Sequence, residues 1–170
     1  SAASDVYKRQ GQEPYSMAFT VLSVWPNAAE LDIRILGTDI DTNVLATGRT
    51  AVYDEHLLEG VSQSMRGQYF ERDPSDRRAW RVCEAARSLV AFRELNLNGS
   101  SWPMKGPFDA IFCRNVVIYF DEPTQERVWS RFAPLLAPGG KLYVGHSERV
   151  GANVRGFESC GLTAYRKTGV

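Results

Sequence analysis

Apolar residues are distributed along this chain in runs of two lengths. From Tyr15 to Trp25 they cover much of a helical surface, which predicts a well-buried helix opened by Gly11-Gln12-Glu13-Pro14 and stopped at Pro26-Asn27. Asp32 to Thr38 predicts a strand, and Asp41 is placed to cap a following helix over Thr42 to Thr50. Leu89 to Leu95 predicts another strand. Phe108 to Cys113 is short, continuous and aromatic, the profile of a central strand covered on both faces. Pro123 to Leu136 predicts an amphipathic helix capped by Asp121, with a sharp break at Ala137-Pro138-Gly139-Gly140. Lys141 to Gly145 predicts a strand, and Gly156 to Gly161 with Leu162 to Arg166 predict two short strands joined at Gly161.

Alternating strands and helices indicate an α/β sheet with helices on both faces, finished by a C-terminal antiparallel hairpin. The span between Thr50 and Leu89 is longer than a crossover needs and must hold structure of its own. Ser62 to Gln68 predicts a short helix; Tyr69 to Glu71 and Ala79 to Val82 predict a hairpin around Asp73-Pro74-Ser75-Asp76. Residues 53–88 are therefore expected to form an inserted subdomain, with Trp80 exposed for docking. The remaining scaffold reads as one catalytic domain over residues 1–170.

Composition narrows the partners. Among 170 residues, 20 lysines and arginines balance 20 acids, so no net field draws the chain to nucleic acid or an anionic membrane. Cys83, Cys113 and Cys160 are odd in number and widely spaced, which points to free thiols in a reducing, cytoplasmic setting. They form no metal spacing with the isolated His56 and His146. No apolar run reaches the roughly 20 residues of a membrane span, and the segment after Ser1 has no signal-peptide pattern.

Candidate chemistry collects at strand ends. In open α/β sheets, ligands bind beyond the carboxyl ends of the strands, where Asp39, Asn96 and Arg114 are expected on three successive strands. A carboxylate such as Asp39 accepts from ribose hydroxyls, and the Asn96 amide both donates to and accepts from a purine edge. Gly11 precedes a helix N-terminus, where a ligand can approach backbone N–H groups. Asn115 and Tyr119 follow Arg114 closely. The G-x-G-x-x-G of a nicotinamide dehydrogenase is absent.

These residues lie in motifs that resemble the catalytic domain of the chemotaxis receptor methyltransferases, the CheR family. The matching motifs are Gly11-Gln12-Glu13-Pro14-Tyr15-Ser16, Thr38-Asp39-Ile40-Asp41-Thr42-Asn43, Asn96-Leu97, Phe108 to Asp121 with Pro123-Thr124-Gln125-Glu126-Arg127, Pro138-Gly139-Gly140 and Gly145-His146-Ser147-Glu148. The resemblance implies a Rossmann-like, class I S-adenosylmethionine-dependent methyltransferase sheet. It implies that Glu13, after Gly11, holds the methionine part of the cofactor, Asp39 the ribose, and Asn96 with Leu97 the adenine. Arg114, Asn115 and Tyr119 would line the place of methyl transfer. The implied substrate is glutamate on the helical cytoplasmic region of methyl-accepting chemotaxis receptors, modified by a monomer.

The family also carries an N-terminal helical domain and a first strand with a small-residue loop, which this sequence is expected to lack or to have altered at Asp5 to Gln10. Arg72 to Ala79 lacks the turn glycine of members that grip a receptor tail. A glutamate side chain, with a pKa of about 4.3, is ionised at neutral pH and needs no general base to attack a methyl sulfonium. The alternative is a receptor-docking module that no longer binds cofactor.

Overall fold

The computed structural model describes residues 11–169, so Asp5 to Gln10 lies outside the described residues. The chain divides into two compact units, the first ending at Asn96 and the second beginning at Leu97.

In the first unit, helix α1 spans Gln12–Val24. It buries Tyr15, Ala18, Phe19 and Leu22, the i, i+3, i+4, i+7 stripe of a one-sided helix. The expectation of burial over much of the helix is corrected at its end, where Val24 and Trp25 are 61% and 50% exposed. Phe19 stacks on Tyr69 at 4.6 Å and meets Phe70 edge-on at 5.4 Å, so α1 is held by aromatic contact rather than by length.

Strand β1, Ile35–Asp39, begins three residues later than the sequence predicts. It pairs in parallel with β5, Val90–Glu94, in a register that sets Asp39 opposite Glu94. Helix α2, Thr42–Thr50, follows β1 and is capped as expected, the Asp41 carboxylate accepting the Asn43 N–H at 2.8 Å.

The insertion contains the expected hairpin and adds a third antiparallel strand to it. Its strands β2 (Val52–Asp54), β3 (Phe70–Arg72) and β4 (Ala79–Val82) lie in the order β2-β4-β3. β2 escapes a pattern reading because it has three residues and starts directly after the helix-ending Ala51, a residue in left-handed conformation with φ 55°. Helix α3, Gln63–Tyr69, runs into β3, and helix α4, Glu84–Leu89, occupies a stretch given no element from sequence and takes in Leu89, the first residue of the expected strand. Trp80 is half-buried against the core rather than exposed. The Arg72 guanidinium lies 4.0 Å from its ring centre and that of Arg66 5.7 Å.

The second unit holds a four-stranded sheet in the order β6-β7-β9-β8, formed by β6 (Phe108–Cys113), β7 (Leu136–Val144), β8 (Phe157–Ser159) and β9 (Ala164–Lys167). β6 and β7 are parallel, and β7, β9 and β8 are antiparallel neighbours, which supplies the C-terminal hairpin. Helix α5, Glu122–Phe132, packs Val128, Trp129 and Phe132 into the core. Asp121 caps it by accepting the Thr124 N–H at 2.9 Å.

Two expectations change here. β7 starts at Leu136, passing through the segment read as a break, because residues 137–140 bulge where the register shifts between Phe108↔Leu136 and Ala110↔Lys141. Gly139, at φ 74°, makes that bulge possible. Among the described residues, β6 is not covered on both faces. Of its six residues only Cys113 is buried, and Phe112 is 45% exposed. β6 is an edge strand among the described residues, paired with β7 alone. No helix of the described residues is long and apolar enough to cross a membrane.

Candidate functional site

The first unit places Gly11, Glu13, Asp39 and Asn96. Gly11 is the N-cap of α1 at φ 78°, a left-handed conformation that glycine adopts without strain. A Cβ there would sit 2.8 Å from the Gly48 Cα and 3.2 Å from the Phe92 ring. Gly48 and Gly37 press on the same ring, with virtual Cβ distances of 2.7 Å and 2.9 Å. The Tyr15 hydroxyl donates to the Gly48 carbonyl at 2.7 Å. Three glycines and one hydrogen bond thus hold the first turn of α1, including the half-buried Glu13, close to β1 and α2.

Asp39 ends β1, and its Oδ1 accepts the Asp41 N–H at 2.9 Å, which fixes the carboxylate. Its carbonyl accepts the Leu95 N–H at 2.9 Å. Asn96, exposed, follows directly. The parallel register therefore brings Asp39 and Asn96 to the same end of neighbouring strands.

The second unit places Leu97, Arg114, Asn115 and Tyr119. Leu97 is half-buried against that unit's core, and its carbonyl accepts from the Trp102 indole at 3.3 Å. Arg114 and Asn115 are exposed immediately after β6, and Tyr119, 61% exposed, closes the 3-10 turn Val117–Tyr119. Asn115 sits at φ 58°, a left-handed conformation that asparagine tolerates better than most residues.

One residue of this loop's machinery had no role assigned from sequence. Glu148 is 2% exposed. Its Oε1 accepts the Val116 and Val117 N–H groups at 2.9 Å and that of Ile118 at 3.4 Å. Its Oε2 accepts Asn115 at 2.9 Å and Gly145 at 2.7 Å. A Cβ on Gly145 would lie 2.7 Å from the Asn115 Oδ1 and 2.8 Å from the Glu148 Oε2. The signal in the sequence was an acid four residues past an apolar strand, within Gly145-His146-Ser147-Glu148. Gly48 and Phe92 were also missed, since neither carries chemistry of its own.

In the first unit, two parallel strands with an acid and an amide at one end, beside a helix opened by a glycine, are parts of an α/β fold that binds a nucleoside-containing cofactor. The comparisons give the particular family. The chain belongs to the CheR methyltransferases, whose S-adenosylmethionine-binding domain model matches residues 8–166. It is 54% identical over 170 residues to a probable chemotaxis protein methyltransferase of Rhizobium etli, covering 99% of this chain and 62% of that protein. It is 42% identical over 159 residues to the chemotaxis protein methyltransferase of Klebsiella aerogenes, covering 93% and 54%. The Escherichia coli protein of that name is 39% identical over 156 residues, covering 91% and 54%. The chain thus spans between about half and two thirds of these curated relatives.

Proposed function

We propose that this chain is the cofactor-binding part of a protein-glutamate O-methyltransferase that modifies chemoreceptors in the cytoplasm. The observation that carries the proposal is the family match over residues 8–166. The geometry supports it by fit. Gly11 leaves no room for a side chain beside Gly48 and the Phe92 ring, which keeps the first turn of α1 close to α2, Asp39 offers an oriented carboxylate, and Asn96 offers an amide at the adjoining strand end.

In this reading Glu13, with Gly11, holds the amino-acid part of S-adenosylmethionine, Asp39 accepts from the ribose hydroxyls, and Asn96 and Leu97 hold the adenine. The bound cofactor supplies an electrophilic methyl group. Arg114 orients a substrate carboxylate through a charge-assisted, bidentate pair, while Asn115 and Tyr119 shape the place of transfer. Because the attacking carboxylate is already ionised near neutrality, the protein contributes alignment, which is worth on the order of 7 to 11 kcal/mol in well-oriented reactions.

The inserted sheet is the docking part of this proposal. Arg72 and Arg66, lying over the half-buried Trp80, with Glu55 at 3.2 Å from Arg72, offer a cationic face to an acidic receptor helix.

Calorimetric titration with S-adenosylhomocysteine tests the reading. It should use the chain joined to a relative's helical domain, with Asp5 to Gln10 either kept or replaced by threonine. We expect Asp39→Ala to lower the affinity with an unchanged melting temperature. Equal affinity in Asp39→Ala would remove Asp39 from the site, and no binding in either parent would overturn cofactor binding by this chain.

A further inference from the structure

The loop after β6 carries three exposed candidate residues, yet its backbone is tied down. Arg114, Asn115 and Tyr119 face solvent, while Val117 between them is fully buried. Four consecutive N–H groups, from Asn115 to Ile118, point to one carboxylate about thirty residues away in sequence. Loop N–H groups at a protein surface are ordinarily satisfied by water or by near neighbours. Here a buried anion collects them, as backbone nests collect phosphates, and charge-assisted bonds of this kind are roughly twice as strong as neutral ones. The arrangement fixes the main chain and leaves the side chains outside, which is what presenting a set of polar groups requires.

We propose that Glu148 is a positioning residue for methyl transfer, its carboxylate setting the backbone at Asn115 to Ile118 and thereby the placement of Arg114, Asn115 and Tyr119. This inference rests on the function proposed above. Both oxygens are needed, because Oε2 serves Asn115 and Gly145 while Oε1 serves Val116 and Val117. A glutamine in either orientation would turn its NH2 toward one of these pairs of donors. Gly145 belongs to the same device, since a Cβ would collide with the carboxylate and with the Asn115 side chain.

The test combines a spectroscopic and a kinetic readout. In the labelled chain, Glu148→Ala should move the amide resonances of Asn115 to Ile118 and of Gly145 while most other resonances stay in place. Sodium formate, a carboxylate small enough for the vacated seat, should return them toward their wild-type positions. Glu148→Gln keeps the volume and should show the loss without the rescue, because its amide still fills the seat. In the protein that carries this chain, kcat should fall on the order of 100-fold, the effect of an ångström-scale misplacement. Affinity for S-adenosylhomocysteine, set largely by Glu13, Asp39 and Asn96, should change much less.

Unmoved loop amides in Glu148→Ala, or a folded variant that formate does not restore, would overturn the proposal. Unfolding of both variants with no recovery in formate would also overturn it, leaving Glu148 a purely structural residue. Wild-type protein without methyl transfer would remove the underlying function, whereas an active Glu148→Ala would remove this inference alone.

Discussion

At the scale of single residues, exposure separates the groups that can be changed at little cost from those that cannot. Arg114 and Tyr119 lie on the surface after β6, so deleting their functional groups removes little buried area. Arg114→Ala and Tyr119→Phe should therefore shift stability within about 0.5 kcal/mol, the usual range for surface positions. In the proposed function both depress incorporation of labelled methyl groups into receptor membranes. A large loss of melting temperature in either variant would reassign that residue to the scaffold. Trp129 is the opposite case. It is fully buried, its indole N–H has no hydrogen-bond partner among the described residues, and it adjoins Phe132 at 6.0 Å. Trp129→Ala should cost about 3 to 5 kcal/mol through the cavity it leaves, read as a fall in the denaturant midpoint. Trp129→Phe should cost markedly less, because it also removes an unpaired buried donor.

At the scale of elements, the first unit depends on close approach of backbone to one ring. Gly48→Ala would place a methyl group 2.7 Å from the Phe92 ring, in a site bounded by Gly11 and Gly37. Overpacking of this kind costs about 1 to 3 kcal/mol. Phe92→Leu should recover part of that loss in the double variant, and additive effects in the cycle would show that the two residues do not press on each other. This packing also explains what could be read in advance. The Asp41 and Asp121 caps, α2 and the parallel core strands were legible because capping chemistry and apolar runs are local signals. β2, α4 and the early start of β7 were not legible, since each depends on a partner strand or a bulge set by the fold. The apolar run of β6 indicated a strand correctly but gave no measure of coverage, because edge position is a property of the sheet. The strand-end residues Asp39, Asn96 and Arg114 were legible by place and type. Glu148 was not, since its partners are backbone N–H groups that leave no mark in sequence.

At the scale of the whole molecule, titrating groups limit stability at both ends of the pH range, with opposite signs. On the acid side, Asp73 is held below the usual carboxylate range chiefly by the Ser75 hydroxyl and then its N–H. Asp54 is lowered chiefly by the His56 N–H, and Asp121 by the Thr124 hydroxyl and then its N–H. A carboxylate whose folded pKa lies below its unfolded value stabilises the fold above the unfolded pKa. That contribution is lost as pH falls through the folded pKa. Stability should therefore decline below about pH 4, and Asp73→Asn should flatten part of that decline while lowering stability at neutral pH. On the alkaline side, burial pushes the Tyr15 phenol up to about 12, and burial followed by the Tyr15 charge raises Tyr53 as well. An unfolded tyrosine ionises near pH 10, so the neutral phenol contributes fully below that pH. The contribution disappears as pH rises from about 10 toward 12, where only the unfolded chain loses its proton readily. Denaturant midpoints measured from pH 8 to 12 should fall steeply in the wild type. Tyr15→Phe, which lacks the ionisable group and the bond to the Gly48 carbonyl, should start about 1 kcal/mol lower at pH 8 and fall less steeply. Parallel alkaline slopes in the two proteins would show that Tyr15 ionises in the folded state as easily as in water, and would remove the buried hydroxyl from the account of how α1 is held against α2.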